Sequence, residues 1–468
     1  MDMPLKSECK ISIRVCCEIL LSQTLLELRV NLMRYWEKES LNPLDPPISQ
    51  DAFLRYNTRV IKIKPQTLKG FRDFLPKEVK KRQWLINILI SVFESYGFEP
   101  LETPSLEYAE VLRGKYGEEE KLIYEFETRG KDKVALRYDQ TVPLSRVITQ
   151  YQNELVFPFK RYQIQNVWRG ENPQKGRYRE FIQCDADIIG SSSPIADAEI
   201  LRLVLDVYKT LRLNITIKIN DRENFKNMDK KYVSAIDKLE KIGESAVLSE
   251  MVDKGMASEG AKKALSSLQK KPQTAKIKEI LSVLKKIGAD MGRIIYEPTL
   301  ARGLNYYTEM IFETVAQNSS GSLCSGGRFD KLIGKFLPAG RQGSGVNVPA
   351  VGFGLGFDRT LEILEEKNLI PQLKSSSKFL VTTFNKDSKD KSLEVYKKLR
   401  DESINCEIFL DETAGLEKQL KYADKKGISY VLIIGPKEIK EDKATIKNLK
   451  TGDQKTVSVE ELIKQFNN

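Results

Sequence analysis

The 468-residue chain predicts an α+β fold: an antiparallel sheet flanked by helices, a helical insertion, and a C-terminal α/β unit. Three observations carry that prediction. The runs FKRYQIQNVW and EFIQCDADIIG, at 159–168 and 180–190, alternate polar and apolar side chains on either side of a Gly-containing basic loop. That is the pattern of a long antiparallel hairpin with one half-buried face. Across 223–288, lysine-rich helical sequence with glycine breaks such as KIGES and DKGMASEG interrupts strand-rich sequence, as an inserted helical module would. Finally KFLVTTF, NCEIFL and YVLIIG are short apolar runs separated by SLEVYKKLRDE and LEKQLKYADKKG. This βαβ alternation predicts a small sheet with helices packed on it.

The length leaves room for roughly two to four domains. Lysine and arginine exceed aspartate and glutamate by 76 − 65 = 11, an excess that fits a polyanionic partner without identifying one. Six cysteines, at 9, 16, 17, 184, 324 and 406, include no C-x-x-C pair. That argues against a zinc cluster or a disulfide framework, so a reducing cytoplasm is the expected compartment and no metal ligands are assigned. No run of about eighteen apolar residues occurs, so no membrane-spanning helix is expected. The N-terminus carries acidic and polar residues inside its apolar stretch, unlike a secretory signal. Histidine is absent, which removes Ser-His-Asp triads, Cys-His pairs, imidazole metal ligands and histidine general bases together. Chemistry must run on arginine, carboxylates, amides, hydroxyls and bound ions.

In chain order, 1–64 reads as an extension of unassigned role: ISIRVCCEILLSQTLLELRVNLMRYW suits an amphipathic or buried helix, and LNPLDPPISQ a Pro-rich linker. GFRDFLP then leads into a helix with Pro76 in its first turn, Glu78 at its positive end and an apolar face of Leu85, Ile86, Leu89, Ile90, Val92 and Phe93, ended by Gly97. FEPLETP is a strand. KVALRYDQTVPLSRVI breaks from strand to loop to helix, with Asp139 or Thr141 as N-cap. SSSPIADAEILRLVLDVYKTL is a helix and NITIKIND a strand. TLARGLNYYTEMIFE is strand-like, its two tyrosines read as β core. VPAVGFGLGFDRTLEIL is a glycine-rich strand running into a helix with Arg359 near its start, and LPAGRQGSGVN upstream of it is a surface loop. A Lys/Ser linker, LKSSSK, opens the last unit, which closes with a hairpin around 451–453 and a helix.

WRGENPQKGRYREF followed by QCDADIIG resembles motif 2 of the class II aminoacyl-tRNA synthetases, in the form of the histidyl-tRNA synthetase family and its archaeal and eukaryotic-like branch. The helix and strand ending at Pro104 resemble motif 1, which builds the homodimer interface in that class. The stretch around Arg359 resembles motif 3. ARGLNYY resembles a signature of histidyl-tRNA synthetases, although Asn305, Glu309 and, in CSGGRFD, Phe329 depart from its usual context. The resemblance runs from about Lys69 to the C-terminus. It implies a catalytic domain at 65–370, an insertion at 223–288 over the tRNA acceptor stem (or else a solvated helical spacer), and an anticodon-binding domain at 376–468.

What the resemblance implies is a histidine–tRNA ligase that uses ATP with Mg²⁺, L-histidine and tRNA(His), works as a homodimer and has no membrane partner. Arg302 and Arg169 would be catalytic. Arg169, Glu171, Arg177 and Arg359 would hold ATP, and Asp139, Thr141, Gln183, Asp187, Tyr306 and Tyr307 would hold histidine. Gln174 and Lys175 at the hairpin tip would touch the acceptor end of the tRNA. The alternative is a non-catalytic regulatory subunit of histidine biosynthesis. Such paralogues generally lack the C-terminal domain and the catalytic arginines, and this chain carries both.

Overall fold

The computed structural model describes residues 64–466, except 175, 302–305, 318–320, 337–346 and 374, with only the backbone at 117 and 118. Arg302, Lys175, Asn305, most of the glycine-rich loop and nearly all of the N-terminal extension therefore lie outside the described residues. The chain divides into two units, 1–66 and 67–468, and the regular elements from Pro76 onward all belong to the second.

Helix α1 (Pro76–Ser95) has proline at its first position, where no N–H is needed, and Gly97 at φ +73° releases the chain. Strand β1 (Glu99–Pro100) is followed by β2 (Leu106–Tyr108), the short α2 (Ala109–Leu112), β3 (Glu125–Glu127) and β4 (Lys133–Leu136). The last three strands form a small sheet of order β2-β4-β3. Helix α3 (Thr141–Gln150) leads to the hairpin β5 (Phe159–Trp168) and β6 (Glu180–Ile189), ten residues each. Then come α4 (Pro194–Thr210), capped by the Ser193 side chain, and β7 (Ile215–Asp221). Four helices follow: α5 (Lys230–Ile236), α6 (Leu239–Asp253), α7 (Ser258–Gln269) and α8 (Ala275–Lys286). Next are β8 (Ile294–Tyr296), β9 (Met310–Ala316), β10 (Ser322–Arg328), β11 (Ala350–Gly356) and α9 (Phe357–Glu366).

Eight strands make the main sheet, in the order β1-β5-β6-β11-β10-β9-β7-β8. It is antiparallel from β5 to β7, with parallel pairings only at its two edges. One face is covered by α1, α4, α8 and α9, whose Phe93, Leu201, Ile280 and Leu364 share a core with Cys184, Ala186 and Ile188 of β6. The other face, bearing the alternate residues of β6, is free for chemistry. The 223–288 segment has two parts: α5 to α7 pack around their own cluster of Val233, Met251 and Leu265, whereas α8 buries Ile277, Ile280 and Leu284 in the main core.

Strands β12 (Phe379–Val381), β13 (Cys406–Ile408), β14 (Tyr430–Ile433), β15 (Lys443–Asn448) and β16 (Gln454–Ser458) form a separate mixed sheet of order β13-β12-β14-β15-β16. It carries α10 (Lys389–Asp401), α11 (Leu416–Lys426), α12 (Pro436–Glu441) and α13 (Val459–Phe466).

One local expectation is corrected. The tyrosines of NYYTEMIFE are not β core, because the strand starts only at Met310. Their rings instead pack with Leu144, Ile148 and Phe329 in a separate cluster. Packing overrides the modest strand preference of a Tyr-Tyr pair.

Candidate active site

The polar alternation of the hairpin becomes one row of side chains because of its register. Arg161 lies opposite Asp187, Gln163 opposite Asp185, and Gln165 opposite Gln183. Buried charge survives only when paired, and here the pairing is built into the ladder. Arg161 Nη2 stands 2.6 Å from Asp187 Oδ2 with almost no side-chain exposure on either residue. Arg161 Nη1 donates to Gln163 Oε1 at 3.2 Å, and Gln163 Nε2 donates to Thr103 Oγ1 at 2.9 Å and to Gln165 Oε1 at 2.6 Å. Arg137 Nη1 donates to the same Gln165 oxygen at 2.9 Å. Gln183 Nε2 donates to both oxygens of Asp185 at 2.9 Å. Burial pushes the carboxyls of Asp185 and Asp187 above the usual range, and the Arg161 charge opposes that rise in both.

Arg169 follows β5 directly. Its Nη2 donates to Gln183 Oε1 at 3.2 Å and its Nε to the Tyr138 carbonyl at 3.1 Å, with the guanidinium over the rings of Tyr138 and Phe181 at 4.4 and 5.2 Å. These contacts fix the fork before any ligand arrives. Along one face of the hairpin the alternation predicts Arg169, Glu171, Gln183 and Asp187 together, and the structure does not place all four on one strand face. Only Gln183 and Asp187 are strand-borne, because Arg169 and Glu171 lie beyond Trp168, where the Gly170 N–H donates to the Leu122 carbonyl at 2.7 Å and draws the loop off the ladder.

Asp139 accepts from the Tyr116 hydroxyl at 2.8 Å and from the Val142 N–H at 3.1 Å, so it bonds the first turn of α3, although the N-cap residue is Gln140 rather than Asp139 or Thr141; burial raises its carboxyl. Thr141 shares a side-chain hydrogen bond with Tyr306. The Tyr306 and Tyr307 rings are 4.9 Å apart, and Tyr306 meets Phe329 edge-on at 6.1 Å. Two glycines clear the floor. A Cβ on Gly352 would overlap Asp187 Oδ1, and one on Gly327 would come within 3.0 Å of Tyr307 Cδ1. Gly327 and Gly352 are register partners, so Asp187 and Tyr307 stand over adjacent glycines.

Arg359 is the third residue of α9. The cap of that helix, Gly356, pairs with Gln183, and Arg359 Nη1 donates to the Ser322 carbonyl at 3.2 Å. Asp358 beside it takes Arg72 Nη2 at 2.9 Å and Arg82 Nη1 at 2.5 Å, tying the start of α9 to α1. Arg177 and Glu171 occupy the hairpin tip 3.6 Å apart, and Gln174 pairs its backbone with that of Arg177. Among the described residues, no three Cys, Asp or Glu side chains gather as a metal-holding group.

Sequence reasoning missed Arg161, Gln163 and Asp185, although each continues the alternation it had already noticed. Tyr116, which holds Asp139 from a distant loop, left no signal in the sequence.

A central antiparallel sheet with this arginine-bearing hairpin, a glycine-rich strand turning into the Arg359 helix, and a separate mixed-sheet domain define a class II aminoacyl-tRNA synthetase. Residues 70–359 match the histidyl-tRNA synthetase family model, and 378–468 match an anticodon binding domain. The chain is similar to the histidine–tRNA ligases of Christiangramia forsetii (38% identical, covering 84% of this chain and 96% of that protein) and Bacteroides fragilis (38%, covering 86% and 98%). It is also similar to the crystal structure of histidyl-tRNA synthetase from Nostoc sp. PCC 7120, at 30% identity and TM-score 0.73, covering 86% of this chain and all of that one. The chain belongs to the histidyl-tRNA synthetase family, and it is a ligase of the aminoacyl-tRNA synthetase type.

The expected archaeal and eukaryotic-like branch is not upheld, since eight relatives at 35% to 38% identity are all bacterial. Residues such as those of QCDAD answer to the geometry of the site, which different lineages can share, and so they are poor markers of descent.

Proposed function

We propose that this ligase activates histidine with ATP on the buried β5–β6 face and then passes it to tRNA(His). The observation that carries the assignment is the row of side chains joined by register, with Arg169 fixed at one end on Gln183 and Asp187 recessed at the other. A free amino acid carries an ionised carboxylate at neutral pH, its α-carboxyl titrating near ~3.5. Attack on the α-phosphate therefore needs no general base, which suits a chain without histidine. The barrier is the meeting of two anions and the charge that builds on phosphorus, and positioned cations lower it. A carboxylate oxygen forms the new bond to phosphorus and pyrophosphate leaves.

In this reading Arg169 grips the α-phosphate, Arg302 bridges it to the histidine carboxylate, and Arg177, Glu171 and Arg359 hold the rest of ATP. Asp139 and Thr141 take the α-amino group. Gln183, Asp187, Tyr306 and Tyr307 enclose the imidazole, while Gln174 and Lys175 meet the acceptor end of the tRNA. Mg²⁺ would enter with the phosphates of ATP, as is usual for this ion, and would neutralise part of their charge. The domain division at 65–370 and 376–468 is kept, with the 223–288 insertion set apart through α5 to α7 while α8 packs in the main core, and the cytoplasmic assignment is supported by buried thiols at Cys184 and Cys406. No helix among the described residues is long and apolar enough to cross a membrane.

A site that hydrogen-bonds both ring nitrogens leaves buried groups unpaired when a ring lacking them enters, so selectivity needs no editing step. Histidine-dependent ATP–pyrophosphate exchange and charging of tRNA(His) test the function directly. Asp187→Ala is expected to raise the histidine KM far more than the ATP KM; equal effects on the two would reject its role at the ring.

The homodimer is supported by a groove of about 740 Å³ that starts at Leu101 and Pro104, the end of the segment resembling motif 1, and runs on past Leu106, Tyr108, Tyr151 and Leu155. Leu106, Tyr108 and Tyr151 are exposed apolar side chains, as at a surface that meets another protein. Sedimentation should give twice the 53.5 kDa chain mass. A single-chain mass at micromolar concentration would sink the dimer.

A further inference from the structure

Arg161 is fully buried and belongs to none of the roles assigned above. It sits directly across the ladder from Asp187, 2.6 Å from it, yet the pair is misaligned. Arg161 Nη2 and Nε and Asp187 Oδ2 are all buried without a hydrogen bond of normal geometry. Buried polar atoms are rarely left so. Oδ2 is thus held by charge rather than by a hydrogen bond, so the Asp187 carboxylate keeps acceptor capacity for a ligand N–H.

The surroundings explain why a cation is needed. Besides Arg161 on β5, the charged groups that bear on Asp187 are Asp185 on its own strand and Asp139 from the loop before α3; the Tyr306 hydroxyl ahead of β9 bears on Asp139 and Asp185, and β11 places Gly352 opposite Asp187. Asp139 is itself held by Tyr116 and lies in the field of Arg169. Three buried carboxyls thus share one face, and each disfavours ionisation of the others. Of the two arginines there, Arg169 reaches toward Gln183, which leaves Arg161 as the cation on Asp187. Gln163 holds Arg161 in turn, Gln165 and Thr103 hold Gln163, and Arg137 donates to the same Gln165 oxygen.

We propose that Arg161 is a positioning residue for amino-acid selection: by its ion pair with Asp187 it keeps that carboxylate anionic and in place to accept from the N–H of the substrate's imidazole. The proposal rests on the assignment of Asp187 to that ring. Arg161 touches no substrate atom. It sets the charge and reach of the group that does.

The test is the pH dependence of kcat/KM for histidine in ATP–pyrophosphate exchange. As pH falls, Asp187 takes up a proton and selection fails. Without the Arg161 charge this failure begins at higher pH, because only the cation opposes the effect of burial. Arg161→Met is expected to move the acid limb up by about one unit, a roughly tenfold rise in histidine KM on that limb, with the ATP KM within about twofold of the parent. Ionisation of free histidine is common to both proteins and cancels. Arg161→Lys should return the limb toward that of the parent. If Arg161→Met does not fold, Arg161→Gln removes the same charge while retaining hydrogen bonds, and the same shift is expected. An unmoved limb, with kcat and thermal midpoint lowered evenly, would make Arg161 merely structural and overturn the proposal. Asp187→Asn separates the two claims. If it leaves the histidine KM unchanged, the ring assignment itself fails; if it raises that KM while the Arg161 variants leave the limb alone, only the role given to Arg161 fails.

Discussion

Arg169→Ala is expected to lower histidine-dependent ATP–pyrophosphate exchange by about 100- to 1,000-fold, the usual loss when a fixed donor to a developing anion is removed. The loss should fall on kcat, with histidine and ATP requirements changing little, because the contact strengthens as charge gathers on the α-phosphate. Lysine should rescue poorly. The guanidinium is held by two hydrogen bonds, to Gln183 and to the Tyr138 carbonyl, and lies over the rings of Tyr138 and Phe181, a geometry that an ammonium on a flexible stem cannot reproduce. Exchange within about threefold of the parent would remove Arg169 from the centre of the reaction.

The second large effect comes from a residue with no functional group. Gly352→Ala is expected to raise the histidine KM at least about tenfold, a change worth roughly 1.4 kcal/mol, and to lower the thermal midpoint, since overpacking a filled site costs about 1–3 kcal/mol. The backbone conformation is not the obstacle, as Gly352 is not among the positive-φ glycines. Space is. A methyl group there would overlap Asp187 Oδ1 and stand 2.7 Å from the Ala186 carbonyl oxygen. Either Asp187 swings away or β11 and β6 part, and both disturb the ring site. Gly354→Ala offers a graded comparison, its nearest neighbour being Asp185 Oδ1 at 3.0 Å. A variant at 352 with the parent's histidine KM would refute this account of the floor.

Much of the architecture was readable because it rests on local periodicity. The alternation of β5 and β6, Pro76 at the start of α1, Gly97 after its end and the βαβ rhythm beyond 376 each reflect contacts between near neighbours in the chain. The candidate site was readable in part: Asp139, Arg169, Gln183 and Asp187 were singled out because the motifs that carry them resemble those of the family. The tyrosines at 306 and 307 were identified but given the wrong local structure, because their placement depends on Phe329 and Leu144, far away in sequence.

From the chain alone came an α+β protein with a basic hairpin, chemistry without imidazole side chains, and likeness to one synthetase family. These depend on residue type, spacing and order, which folding does not alter. Only the tertiary structure decided that Arg161 faces Asp187, that Tyr116 holds Asp139, and that Gly352 leaves the room Asp187 occupies. Such facts depend on strand register and on approaches between distant segments. They are fixed by the packing of the whole sheet, and a one-residue slip would turn every polar side chain of the hairpin toward the helices.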